Sequence, residues 1–128
     1  MVFVIGIAMK FDDDLVNRVW NKGRQVEGVD PAMFRKDACG AWIARNKFAN
    51  HDSEFGWVMD HIMPRSLGGP DCEENLRPMQ IKNNISKGSD YPSYVACVTA
   101  EGENNVRKLR TLTVNDKIQS KIMRLLEE

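Results

Sequence analysis

Asp60 and His61 stand side by side at the end of the apolar run Trp57-Val58-Met59. A Gly68-Gly69-Pro70 turn follows, and then two carboxamides, Asn75 and Asn84. Hydrolysis of a phosphodiester needs parts of this kind. Water must lose a proton, the phosphorane must be neutralised, and the leaving oxygen must be helped away. An imidazole, with an ordinary pKa of ~6.5, suits the first task at neutral pH. A divalent cation suits the other two. His61 is the candidate general base, and Asp60 the candidate anionic metal ligand. Asn84 could bring its amide oxygen to the same ion. Asn75 could clamp loop backbone, because a carboxamide both donates and accepts. One geometric condition attaches to this set: in an extended strand Asp60 and His61 point to opposite faces. They can share a site only if the strand twists or ends there, and Pro64 and the glycine turn favour an ending.

These side chains need a scaffold. Gly56 to Ile62 is a strand candidate, and Leu76 to Ile81 its antiparallel partner, confined by Pro78 to an edge or a bulge. Asn83 to Lys87 fits a short helix stopped by Gly88. Upstream, Phe11 to Lys22 is predicted helical: Asp12, Asp13 and Asp14 suit its N-terminal end, Leu15, Val19 and Trp20 form its apolar stripe, and Gly23 ends it. Asp30-Pro31 predicts a second helix start, running towards Gly40. Ala41 to Ala44 is a short strand. Downstream, Tyr94 to Thr99 and Val106 to Leu112 flank a hairpin turn at residues 101–105. Thr113, with Asp116 three residues on, starts a last helix whose stripe is Val114, Ile118, Ile122 and Leu125 or Leu126. That stripe reads as core, and secondarily as the face of a homodimer.

Composition bounds the function. The chain has 128 residues, enough for one ordinary domain. Lys plus Arg (18) equals Asp plus Glu (18), so any nucleic-acid affinity must come from a local patch. Cys39, Cys72 and Cys97 are far apart and odd in number, which argues against a disulfide framework or a zinc knuckle and for free thiols in a reducing cytoplasm. Met1 to Ala8 is apolar but much shorter than the ~20 residues of a membrane helix, so no membrane partner is expected. It reads as a short strand or loose terminus, with Met9 as a second candidate start.

Taken together, Asp60-His61-Ile62-x-Pro64, Gly68-Gly69, Asn75-Leu76 and Asn84-x-x-Lys87-Gly88 resemble the motif of HNH endonucleases, the ββα-metal fold. Asn75 lies fourteen residues after His61, and Asn84 nine after Asn75, a spacing similar to the family's. Arg35 to Gly40 and Phe55-Gly56-Trp57 resemble small stand-alone bacterial and phage members. The close likeness covers about a quarter of the chain, the looser one about half.

The resemblance implies an α+β fold with a ββα core at residues 55–90. N-terminal helical support would span 9–54, and a hairpin and helix 93–128, all in one domain. It implies His61 as general base, Asn75 as the residue orienting its loop, Asp60 and Asn84 as metal ligands, and Lys87 as a phosphate contact. It also implies double-stranded DNA as substrate. Two features depart from the commonest pattern. Asn84 replaces a histidine, a His-Asn-Asn form also found in the nuclease domain of RNA-guided DNA endonucleases. The cysteine pairs that hold structural zinc in many relatives are absent, with Gln80 and Asn83 where one pair would lie. Carboxylate and carboxamide oxygens are hard donors, so magnesium is the expected ion, with manganese as substitute. Without structural zinc, flanking elements must stabilise the small core by packing.

Other residues have plainer readings. Arg65, Arg77 and Lys82 could line a DNA groove or be solvated surface. Arg35 and Asp37 are candidates for a buried tie. Trp20, Trp42 and Trp57 read as core, and His51 as a polar-loop residue. The competing reading is a non-catalytic DNA- or partner-binding module on the same scaffold; an RNA nuclease or toxin is a further one.

Overall fold

The computed structural model describes residues 12–127. The readings of Met1 to Ala8 and of Met9 lie outside that range. Helix α1 (Asp13–Trp20) begins where Asp12 accepts a hydrogen bond from the Asp14 amide, 2.8 Å away. Its buried residues, Leu15, Val16, Val19 and Trp20, sit at helical spacing.

The helix expected from Asp30-Pro31 does not form. Asp30 instead closes a turn, its carboxylate accepting from the Ala32 amide and its carbonyl from Met33 and Phe34. The chain then enters strand β1 (Phe34–Lys36), which pairs with β2 (Trp42–Ala44). Asp-Pro serves a turn as well as a helix start. The decision falls to Ile43 and Trp57, whose core needs a strand beside it. The Arg35–Asp37 tie is absent too. Arg35 donates to the carbonyls of Pro31, Asn21 and Gly23.

Strands β3 (Trp57–His61) and β4 (Leu76–Gln80) form the central antiparallel hairpin, followed directly by α2 (Ile81–Lys87). Asp60 faces Arg77, and Met59 faces Pro78. The Ile62 amide donates to the Asn75 carbonyl, which makes 60/77 and 58/79 the hydrogen-bonded pairs. Pro78 therefore falls at a non-hydrogen-bonded position, where its missing N–H costs the ladder nothing. The C-terminal hairpin is β5 (Ser93–Glu101) with β6 (Asn104–Thr113), turned at Gly102 with φ +61°. Helix α3 (Asp116–Leu126) is capped by Asn115 through the Ile118 amide. Thr113, expected as its cap, ends β6 instead and pairs with Ser93.

Among the described residues the fold is thus α+β, with three α-helices and three two-stranded antiparallel sheets. The central hairpin separates two cores. Trp57 and Leu76 join α1 and Ile43 on one side. Ile62 and Met79 join Tyr94, Ala96, Val114 and Ile122 on the other. Of the α3 stripe, Val114 and Ile122 are buried and Ile118 packs against this core, while Leu126 is exposed. No helix among the described residues is long and apolar enough to cross a membrane.

A buried polar knot ties these layers together. Asp37, 1% exposed, accepts four hydrogen bonds: from the Cys39 and Ala41 amides on Oδ1, and from the Gln80 amide and Asn83 Nδ2 on Oδ2. Asn83 Oδ1 accepts in turn from the Cys97 and Val98 amides. Gln80 and Asn83 thus stitch β4, α2 and β5 to the β1–β2 turn. Burial pushes the Asp37 carboxyl pKa up, against the pull of its four donors.

Candidate functional site

The site lies where β3 ends against the β3–β4 loop and α2. Register keeps strict alternation: His61 shares a face with Trp57 and Met59, and Asp60 the opposite face with Ile62. Both nevertheless line one open cleft of about 390 Å³, with Arg65, Asn84, Pro64 and Gly88, because the strand stops at His61.

The loop that shapes the cleft is held by Asn75, which is fully buried. Its Oδ1 accepts from the Met63 amide at 3.0 Å. Its Nδ2 donates to the carbonyls of Met63 and Pro70, each at 2.9 Å. Two 3₁₀ turns, Arg65–Leu67 and Glu73–Asn75, fill the loop. The paired glycines have separate reasons. Gly68 adopts φ +89° at the end of the first turn, and a Cβ on Gly69 would run into the Met63 carbonyl oxygen.

His61 is partly exposed, and its Nε2 lies 3.0 Å from Asp71 Oδ1. Arg65, well exposed, reaches the other Asp71 oxygen at 3.7 Å. Asp71 is a neighbour that sequence reasoning missed. It sits in an irregular loop, and no periodicity or motif position marks it.

Asp60 is 3% exposed and heavily engaged. Arg77 Nε donates to Oδ2 at 3.0 Å, while Lys87 Nζ and Asn84 Nδ2 each lie 3.2 Å from Oδ1. Lys87 also donates to the His61 carbonyl at 3.1 Å. Arg77 and Lys87 both lie over the Tyr94 ring, at 5.4 and 5.9 Å from its centroid. Sequence reasoning offered Arg77 as a groove or surface cation and missed its pairing with Asp60, although its position directly across from that residue follows once the hairpin register is set. Desolvation is the largest single influence on the Arg77 charge and opposes it, but Asp60 and Tyr94 together outweigh it and the pKa is raised. Burial lowers the Lys87 pKa, with Asp60 working the other way.

Two surface expectations need correcting. Lys87 is 1% exposed and spends its ammonium on Asp60 and the His61 carbonyl, so it cannot serve as a phosphate contact. Helical geometry explains this: Lys87 lies one turn after Asn83 and Asn84, on the face of α2 that packs against β3 and β5. Arg77 is half-buried, its guanidinium committed to Asp60 rather than to solvent, while it also lines a second cleft with Lys22, Lys36 and Lys121. Arg65 and Lys82 remain on the surface. Trp20 and Trp57 pack in the core with tilted rings 5.2 Å apart between centroids, Trp42 is half-buried, and His51 is exposed.

The donor set can be tested for a divalent cation. Among the described residues no three or more His, Cys, Asp or Glu side chains gather as a metal cluster. An Asp–Asn pair is a different donor set, and its spacing is informative. Cis oxygens around octahedral magnesium stand about 3.0 Å apart, from metal–oxygen distances of about 2.1 Å. The Asn84 amide terminus lies 3.2 Å from Asp60 Oδ1, and an amide turned over would present oxygen there. The pair fits one edge of such an ion, with Lys87 as the competing cation.

No protein-family model matches the chain, and no curated protein or solved structure was found to match it.

Proposed function

We propose that this chain is a metal-dependent endonuclease of the HNH type that hydrolyses phosphodiesters in double-stranded DNA. The observation that carries the reading is the meeting of an imidazole, a carboxylate and a carboxamide in one cleft, from a strand end and a helix distant in sequence. The ββα order of β3, β4 and α2, with the motif residues at the resemblance's positions, supports it further.

In this reading His61 takes the proton from the attacking water. Asp71 accepts from Nε2–H, which leaves the lone pair on Nδ1 and limits rotation of the ring. Asn75 holds the loop that carries Arg65 and Asp71 against the strand end. Asp60 and Asn84 would hold one divalent cation, magnesium by the hardness of their oxygens, with manganese as substitute. When bound, that ion supplies charge neutralisation at the scissile phosphate and at the leaving oxygen. Arg65 and Lys82 offer exposed cations to backbone phosphates, contacts that grip DNA without reading its sequence. One such site cuts one strand, so the product is a nick unless two copies act together.

A second reading, a DNA- or partner-binding module without catalysis, draws on a specific observation. Both Asp60 oxygens are already engaged by basic side chains. Supercoiled plasmid incubated with magnesium or manganese separates the two, with His61→Ala as control and an RNA substrate in parallel. The nuclease reading expects metal-dependent nicking, reduced by roughly 10²-fold or more in the variant. DNA binding without nicking favours the module, and cleavage of RNA alone favours a ribonuclease.

A further inference from the structure

The Asp60 cluster holds more positive charge than its single carboxylate calls for. Arg77 alone neutralises Asp60 through Oδ2 at 3.0 Å. Lys87 then places a second cation 3.2 Å from Oδ1, with both cationic side chains largely withdrawn from water. Donors also outnumber acceptors, since Arg77 Nη2 is buried without a hydrogen-bond partner. A brace between β3 and α2 does not need this surplus: the Asn84 amide already links the same two elements at 3.2 Å. Lys87 Nζ is instead seated beside the one carboxylate oxygen that, with Asn84, matches an edge of a magnesium coordination shell.

We infer that the Lys87 ammonium is a resident counter-ion occupying the metal seat at Asp60 Oδ1, so that divalent-cation binding is an exchange in which Lys87 leaves that oxygen. The inference rests on the nuclease reading above. The displaced ammonium has partners in place, the His61 carbonyl at 3.1 Å and the Tyr94 ring at 5.9 Å. It therefore need not be stranded in the core. Exchange of a monovalent for a divalent cation beside Arg77 adds positive charge to the cluster. The seat should thus take metal weakly by itself, and more strongly once a phosphate supplies the missing negative charge. It also links metal occupancy to the strand end, because the group that leaves Asp60 stays bonded to the backbone of His61.

Manganese binding to the full-length chain, followed by electron paramagnetic resonance without DNA, tests the exchange. Lys87→Met and Lys87→Gln are compared with the unsubstituted protein, each measured with and without Asp60→Asn as locator. Removing a unit charge about 3 Å from the ligand oxygen should tighten manganese binding at least about tenfold. That gain should vanish with Asp60→Asn. Lys87→Gln keeps a donor for the His61 carbonyl and guards against a packing artefact in Lys87→Met. In the unsubstituted protein, added magnesium should also shift the Lys87 side-chain Cε–Hε resonance, and Asp60→Asn should suppress that shift. Asp60-dependent binding that is equal or weaker in both Lys87 variants, with no resonance shift, overturns the exchange and leaves the nuclease reading standing. Absence of Asp60-dependent binding in every protein overturns the exchange together with the metal assignment on which it rests.

Discussion

Asp37→Asn isolates the buried knot on which the candidate site is mounted. The substitution preserves shape and removes one acceptor. Asp37 receives two donors on each oxygen, the Cys39 and Ala41 amides on one and the Gln80 amide and Asn83 Nδ2 on the other. Whichever way an asparagine turns, its NH₂ must face two N–H donors, the Cys39 and Ala41 amides or the Gln80 amide and Asn83 Nδ2, and of these four only Asn83 Nδ2 has a second acceptor, the Val98 carbonyl. Each buried donor left unsatisfied costs about 1–3 kcal/mol. Part of that loss is offset because burial disfavours the charged carboxylate, as the raised pKa indicates. A net loss of about 3 kcal/mol is expected, a large part of the 5–15 kcal/mol typical of a small domain. Urea unfolding read by tryptophan fluorescence suits the measurement, because Trp20 and Trp57 are buried. With a slope near ~1.5 kcal/mol per molar urea, the midpoint should fall by about 2 M with the slope unchanged. A shift below about 0.5 M would refute the reasoning, by showing that desolvation already cancels the four hydrogen bonds. Nicking activity should fall as well, because Gln80 and Asn83 anchor the start of α2, the helix that carries Asn84.

Three further outcomes are expected. Asn75→Ala should cost about 2–4 kcal/mol and speed amide exchange at Met63 by the loss of its acceptor, Oδ1; unchanged exchange at Met63 would show that the loop is held by other contacts. Asp71→Asn should slow plasmid nicking by roughly tenfold with little change in stability, since it loosens the imidazole of His61 from an exposed loop position; an unchanged rate would remove Asp71 from the site. Above pH 9.0, stability should fall. Burial, then the Asp37 charge, pushes the Cys39 thiol up to about 12 from 9.0, and burial pushes the Tyr94 hydroxyl up to about 12 from 10.0. The folded state keeps protons that the unfolded chain releases, so this contribution is complete below pH 9.0 and is lost as pH rises towards about 12. The slope is at most ~1.4 kcal/mol per pH unit for each group. Urea midpoints across this range, with Cys39→Ala removing the thiol's share, check it, and a flat profile would contradict it.

Periodicity and turn chemistry made much of the fold legible. The acidic start of α1, its stripe, the β3–β4 hairpin, α2 with its Gly88 stop and the Gly102 hairpin all follow from local pattern. Local pattern failed where two structures use the same residues. Asp30-Pro31 suits a helix or a turn, and Thr113 suits a cap or a strand end. The choice went to whichever arrangement let Ile43, and Tyr94 with Val114, reach their cores.

The candidate site divides in the same way. The sequence alone determined which functional groups the chain carries, their order, and the short-range geometry of Asp60, His61 and the glycine turn. Spacing along the chain sets such relations, and they survive whatever the distant segments do. Tertiary structure alone decided which charges meet. The hairpin register set Arg77 against Asp60, the docking of α2 turned Lys87 inward, and the folded loop brought Asp71 to His61. Each of these contacts joins segments ten or more residues apart. Their energies depend on burial and on distances of a few ångströms, quantities that exist only once the chain has packed.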